Sequence, residues 1–220
     1  MRSWFRDHGL LVVNLALFVI FIVGMVLSGV RVYNSEQAEH GGSAVSLPGY
    51  LTTGEFVEAT FENWESEFLQ MGMYVVLTAF LFQRGSSESK PVDEPAPQDE
   101  DPRDSRDKPN VPWPVKRGGL VLKVYENSLS TFFFVLFIAS WALHAAGGAR
   151  AYSEEQLAHG GEAVSVGEYI TTAQFWFESF QNWQSEFLAV AAIVWASVYL
   201  RQRGSPESKP VAEPHLASGT

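Results

Sequence analysis

The sequence predicts an all-α membrane protein with four transmembrane helices, built as two tandem repeated helical hairpins of the same orientation with interfacial helices on the outer side. Three observations predict it. Phe61-Glu-Asn-Trp-Glu-Ser-Glu-Phe-Leu69 recurs 119 positions later as Phe180-Gln-Asn-Trp-Gln-Ser-Glu-Phe-Leu188, inside a gapless match from Arg31/Arg150 to Pro91/Pro210. Hydrophobic residues are 46% of the 220 and fall in long unbroken runs. Each copy of the nine-residue stretch stands where an acidic polar segment passes into an apolar one. The predicted divisions are a first two-helix repeat over 1–84, a disordered, charged, Pro-rich cytoplasmic linker over 85–119, a second repeat over 120–203 and a disordered cytoplasmic tail over 204–220.

The first helix follows from the apolar run Leu10 to Val30, since a hydrocarbon core about 30 Å thick needs roughly 20 helical residues. A cleaved signal peptide is the competing reading, but its apolar region is normally about 7 to 15 residues long. Ser35-Glu-Gln-Ala-Glu39 carries the helix beyond the membrane, and Gly41-Gly42 supplies the stop. Thr52-Thr-Gly-Glu55 and Thr171-Thr-Ala-Gln174 read as capping boxes that open the second helix of each half. The apolar parts of those helices, Phe68 to Phe82 and Phe187 to Leu200, are short for a crossing. Counting back roughly 20 residues from Phe82 reaches Asn63, so the Asn-Trp-x-Ser-Glu segment belongs at the outer boundary. Trp64 and Trp183 suit the interfacial aromatic belt, and the turns Phe56 to Phe61 and Phe175 to Phe180 can lie along it.

Between the repeats, 85–119 holds seven prolines and a dense mixture of charges with almost no aliphatic residues, so it cannot bury enough apolar surface to fold. Val111-Pro-Trp-Pro114 is either a contact with the membrane surface or plain stiffened linker. The second half then reads as a helix over Leu129 to Gly148, an outer segment over Arg150 to Gln181 and a helix over Trp183 to Leu200.

Lys and Arg concentrate at the N-terminus, in the linker and in the tail, whereas the hairpin connections are rich in Glu. The positive-inside rule puts both termini and the linker in the cytoplasm and the acidic connections outside. The two same-facing halves then share a pseudo-symmetry axis along the membrane normal. With 25 acids against 15 bases, nucleic acid is excluded as a partner, and the absence of cysteine removes disulfides and thiolate chemistry. The expected partners are the lipid bilayer, a membrane or extracytoplasmic protein, a divalent cation, or a second copy of the chain. No phosphate loop, nucleophile elbow or dinucleotide fingerprint occurs, so no enzyme activity and no cofactor are expected.

Half of the positions from 31 to 91 recur in the second copy, and the matches gather in the outer segment and the cytoplasmic exit. Tyr33/Tyr152, Tyr50/Tyr169 and the interfacial motif residues Asn63, Trp64, Ser66 and Phe68, with Asn182, Trp183, Ser185 and Phe187, therefore meet a shared outer requirement. Arg31 with Glu67, and Arg150 with Glu186, fall at similar depth across each hairpin and serve either as ion pairs locking the hairpin or as carboxylates lining an ion path. Glu36 with His40, and Glu155 with His159, share a helix face one turn apart. Carboxylate with imidazole suits a divalent metal, although each His also suits the negative end of its helix. Asn14 and His144 are the conspicuous polar groups deep in the apolar helices, and neither has a polar counterpart in the other repeat. Thr78 and Ser197 do correspond, but such hydroxyls commonly bond their own backbone. Gly24-x-x-x-Ser28 and Ala192-x-x-x-Ala196 offer close-approach faces, for bundle packing or homodimerisation.

The pairing of EQ-x-x-HG-G-x-AVS with F-x-NW-x-SEFL, twice in one chain and followed by QRGS-x-ESKP, resembles an uncharacterised domain-of-unknown-function family of duplicated bacterial inner-membrane proteins. The likeness covers nearly the whole chain. It implies a four-helix protein of the bacterial inner membrane and brings no activity or site residues with it. The functional expectation is a structural or interaction role through the acidic outer cap, the alternative being a small ion or solute channel or transporter that uses membrane-edge carboxylates.

Overall fold

Long runs of helix formers, ended by glycine pairs or proline-rich stretches, make this an all-helical chain. The computed structural model describes residues 2–217, and these form eight α-helices and no strand. They are α1 (Arg2–Glu39), α2 (Leu47–Tyr50), α3 (Gly54–Phe80), α4 (Trp113–Arg117), α5 (Gly119–Glu126), α6 (Ser128–Ala158), α7 (Val166–Tyr169) and α8 (Ala173–Tyr199). α1 and α6 are long and apolar enough to cross a membrane, with mean hydropathies of 3.0 and 1.8 over their best stretches. α3 is 27 residues long, but Glu62, Glu65 and Glu67 make its first half polar.

The helix ends show where local sequence decided the structure. α1 passes its apolar run and stops where Gly41 takes φ 73°, with the Gly42 N–H donating to the Gln37 carbonyl at 2.7 Å. α6 ends the same way at Gly160, φ 80°, with Gly161 donating to Gln156 at 2.8 Å. Its predicted end at Gly148 is thus ten residues early, because Ser153-Glu-Glu-Gln156 prolongs this helix just as its counterpart prolongs α1. The capping boxes expected at Thr52 and Thr171 are displaced by one residue. Thr53 and Thr172 cap α3 and α8, their hydroxyls accepting from the N–H groups of Phe56 and Phe175 at 3.2 Å. The Thr52 and Thr171 hydroxyls donate instead to the Gly49 and Glu168 carbonyls. A complete capping box does form at Ser165 and Glu168, opening α7, and the Ser165 N–H holds the Glu168 carboxyl below the usual carboxylate range. Phe56 to Phe61 and Phe175 to Phe180, expected as interfacial turns, are continuous with α3 and α8; the separate short helices are α2 and α7.

The chain divides into two compact units. In the first, Met1–Phe61 with Ala142–Phe175, the same connections recur 119 positions apart. Asn34 exchanges hydrogen bonds with the backbone of Val45 at 2.7 and 3.0 Å, and Ser153 does so with Val164 at 3.0 and 3.2 Å, pinning the loop after each long helix. The Tyr50 ring then packs against Tyr33 and Phe56, and the Tyr169 ring against Tyr152 and Phe175. Gly29 and Gly148 make room for these tyrosines: a Cβ on Gly148 would stand 2.5 Å from the Tyr169 hydroxyl, and one on Gly29 would overlap the Tyr50 hydroxyl outright. Gly24, by contrast, faces open space, so the small-residue face expected there packs against nothing in the described chain.

The second unit is Glu62–Trp141 with Trp176–Thr220. Here Gly72 of α3 approaches Phe133 and Phe134 of α6. Both QRGS-x-ESKP segments, which lie in the stretches expected to be disordered, adopt the same turn: the Gln83 and Gln202 N–H groups donate to the Ser89 and Ser208 hydroxyls at 2.9 Å, with Gly85 and Gly204 at φ 85° and 87°. Ser86 and Ser197 share a hydrogen bond of 2.8 Å, and the Lys209 ammonium donates to three backbone carbonyls of the tail. Between these turns and α4 the linker carries only the short 3₁₀ turns Pro97–Asp99 and Pro102–Ser105.

Candidate functional site

In the first unit, the glycine pair at 147–148 draws α6 onto the start of α3 and α7, and a polar cluster forms there. Tyr169, with 0% of its surface exposed, donates to Glu58 Oε1 at 2.9 Å. His144, also fully buried, stacks on Phe175 at 4.9 Å, and a ring nitrogen of it lies within 4.8 Å of a Glu58 carboxylate oxygen. Carboxylate, imidazole and phenol so placed can hold a proton or contribute two ligands to a cation. His144 was legible as a buried polar group; Glu58 was not singled out. A signal was available, since Glu58 and His144 stand where the other repeat has Phe177 and Met25, two apolar-to-polar differences at one place.

The end of this unit beyond the apolar run of α1 is acidic. Tyr33 donates to Glu154 at 3.5 Å, while Glu55, half-buried in the first turn of α3 ahead of the stretch expected to cross, has its carboxyl pushed up by burial and then by the charges of Glu36 and Glu154. A carboxyl raised by folding costs stability once ionised. The cost is absent below the unfolded value of about 4.3, grows as pH rises toward the folded value and is complete above it. Glu55→Gln, which installs the residue that Gln174 supplies in the second repeat, is therefore expected to raise the unfolding midpoint at pH 7 by about 1–3 °C, the half-exposed position keeping the gain below about 1 kcal/mol. Thermal melts should show that gain vanish near pH 4. A lower midpoint at pH 7 would remove the repulsion argument.

Of the four residues expected to converge on a metal, the structure brings the two histidines together. The His40 and His159 rings are 6.0 Å apart, each with Nδ1 on the carbonyl one turn back, of Glu36 at 3.0 Å and of Glu155 at 2.9 Å. That bond fixes the tautomer and leaves Nε2 as the ligand atom. The Glu36 carboxylate acts instead on Glu55 and Tyr50.

In the second unit the interfacial motif joins α3 to α8, through a residue that had not been singled out. Glu65, 0% exposed, accepts from Ser179 Oγ at 2.9 Å and Trp183 Nε1 at 3.1 Å, and Asn182 donates to Glu62. Ser66 and Ser185 turn back to the carbonyls of Asn63 and Asn182 at 2.8 Å. Trp64 meets Phe68 edge to face, Trp183 meets Phe137, and Phe187 is half-buried. Glu186 has Glu67 as its electrostatic neighbour. Arg31 and Arg150, both exposed, take no part in the ion pairs Arg6–Asp7, Arg84–Asp93, Lys90–Asp99 and Arg103–Asp101, and neither pairs with its expected glutamate. Asn14 and Thr78 bond the backbone of their own helices, and Ser197 does so beside its bond to Ser86.

The model of one protein family, described as a domain of unknown function (DUF6766), matches residues 1–220. The chain belongs to the DUF6766 family. Neither a curated protein nor a solved structure matches it. The DUF6766 match thus covers the residues of both the Glu65 network and the Glu58–His144 cluster.

Proposed function

We propose that this DUF6766 protein is a non-enzymatic, multi-pass protein of the bacterial inner membrane, with four transmembrane helices in two tandem hairpins, cytoplasmic termini and a structural or interaction role through its acidic outer cap. The observation that carries this reading is the use made of the interfacial motif. Its buried carboxylate, Glu65, is engaged by Ser179 and Trp183 of another helix, a helix-to-helix clamp where a charged group would otherwise be left in hydrocarbon. In this reading α3 and α8 complete the hairpins opened by α1 and α6, and the cap, with paired His40 and His159 and the carboxylates of Glu36, Glu55 and Glu154, meets a basic protein partner, a divalent cation or a second copy. A single specific observation favours the other reading, a small ion or solute channel or transporter: Glu186 has the repeat-related Glu67 as its electrostatic neighbour, and neither has an ion-pair partner among the described residues.

The chain has no cysteine, so single cysteines report topology without background. Cysteines at Ser43 and Glu162 are expected to react with a membrane-impermeant maleimide in intact cells, and cysteines at Ser105 and Ser205 only after lysis; outside labelling of Ser105 would overturn the four-helix topology. Vesicles holding the full chain are expected to pass Na⁺, K⁺ and Mg²⁺ no faster than empty ones. Flux abolished by Glu67→Gln with Glu186→Gln would replace the scaffold reading with the transport reading.

A further inference from the structure

The stretch from Lys108 to Tyr125 is the chemical opposite of the rest of the chain. In a protein of net charge -10 it contains Lys108, Lys116, Arg117 and Lys123 and no acid, Asp107 and Glu126 being the carboxylates that bound it. Pro112 and Pro114 pre-set the start of α4, and Gly118 turns the chain into α5 at φ 69° and ψ -163°, a conformation essentially restricted to glycine. The elbow shapes an open surface depression of about 730 Å³ lined by Arg106, Trp113, Lys116, Arg117, Leu120 and Val121. Two contacts hold its basic wall: Arg106 donates to the Lys116 carbonyl at 2.9 Å, and the Arg117 guanidinium lies 5.8 Å over the Trp113 ring.

Beside this wall the surface is apolar. Trp113 is 64% exposed, Leu120 81% and Val124 69%, and α6, one of the two helices able to cross a membrane, starts at Ser128 just beyond α5. Water is a poor neighbour for three such side chains on one short stretch. Basic groups, an exposed Trp and an apolar helix at the foot of a spanning helix together match the boundary between lipid headgroup and acyl chain.

We propose that the elbow between α4 and α5 is a binding site for the headgroup of an anionic phospholipid, the phosphate seated among Arg106, Lys116 and Arg117 and the acyl chains running along Leu120 and Val124. It rests on α6 crossing the membrane with the linker on the inner side, which the cysteine labelling tests separately. Arg at two of the three positions suits bidentate contact with phosphate oxygens. The site would fasten the second hairpin to the inner leaflet and give the linker a fixed anchor beside its otherwise irregular path.

The test uses the full chain in a neutral detergent, with lipid binding followed by native mass spectrometry and by thermal unfolding. Phosphatidylglycerol is expected to remain bound and to raise the unfolding midpoint by several degrees, whereas phosphatidylcholine is not. Each charge near an anionic surface is worth about fivefold in affinity, so the combined Arg106→Gln, Lys116→Gln and Arg117→Gln variant should lose on the order of a hundredfold. Arg203→Gln, which removes a basic residue outside the depression, should bind like the wild type. Trp113→Ala with Leu120→Ala should weaken binding while the charges stay in place. Equal retention of both lipids, or wild-type binding by the triple variant, would overturn the proposal. Equal protection by inorganic phosphate would assign the depression to a soluble phosphate and overturn the proposal as well. These outcomes are read in detergent, so their failure leaves the labelling result on topology intact.

Discussion

Replacing Glu65 with alanine is expected to cost about 2–3 kcal/mol and to lower the amount of protein accumulated in membranes several-fold. The carboxylate is fully buried and receives a hydroxyl and an indole N–H from α8. Alanine strands both donors in apolar surroundings. In the proposed four-helix arrangement α3 and α8 cross the membrane, where hydrogen bonds between helices average only about 0.6 kcal/mol and rarely exceed 1.7, so the larger figure requires that two bonds fail together and that neither donor finds water. Glu65→Gln is the informative companion. The amide oxygen accepts from the same two donors, and the second repeat carries Gln184 at the matching place, so the expected loss is below about 1 kcal/mol. Unfolding midpoints of the detergent-solubilised variants, together with membrane levels, separate the cases. If glutamine proves as damaging as alanine, the charge and not the hydrogen bond matters, and the clamp is the wrong description. If glutamine leaves stability intact but abolishes an ion flux, the same residue has a transport role.

The fold was legible to the extent that local chemistry determines it. Gly41-Gly42 stops α1 because a left-handed residue after a helix is cheap only for glycine, and that signal lies within two residues of its effect. Apolarity marked α1 and α6. Less legible was anything requiring two distant positions to be known at once. Thr52 and Thr53 are equivalent as capping residues on composition; which one caps α3 depends on how α2 delivers the chain, with Thr52 already donating to Gly49. The motif Asn-Trp-x-Ser-Glu is visible as a duplicated unit and points to its repeated glutamates, Glu67 and Glu186, whereas the fully buried one is Glu65, at a position where the second copy carries Gln184. Identity between repeats marks what both halves need. The asymmetric contacts, Glu65 with Ser179 and Glu58 beside His144, appear as differences. The depression at the α4–α5 elbow was foreshadowed only by Val111-Pro-Trp-Pro114 as a stretch able to touch the membrane; its basic wall required the turn at Gly118.

Gly147→Ala is expected to lower the unfolding midpoint by about 4–8 °C, and Gly24→Ala to leave it unchanged or raise it by up to about 4 °C. Both glycines lie inside long helices, where alanine is intrinsically better by up to about 1 kcal/mol, so propensity alone predicts two gains. Space decides otherwise. A Cβ on Gly147 would stand 2.5 Å from the backbone nitrogen of Glu58 and 2.8 Å from Val57 Cγ1, and the approach is reciprocal, since a Cβ on Gly54 would meet the Gly147 carbonyl at 2.8 Å. Backbone cannot rotate aside as a side chain can, so α3 and α6 must separate, at a cost of about 1–3 kcal/mol from overpacking, and the Tyr169–Glu58 bond is disturbed with them. At Gly24 nothing lies within 4 Å, and the new methyl meets only the surroundings of α1. Gly148→Ala should fall with Gly147→Ala rather than with Gly24→Ala. The atoms it would strike belong to the Tyr169 ring, which could tilt in an open site, but this ring has no exposed surface and its hydroxyl is held by Glu58. Melts of the three variants side by side therefore test the close approach of α3 and α7 to α6, and equal midpoints would mean that this packing is not the one the protein adopts.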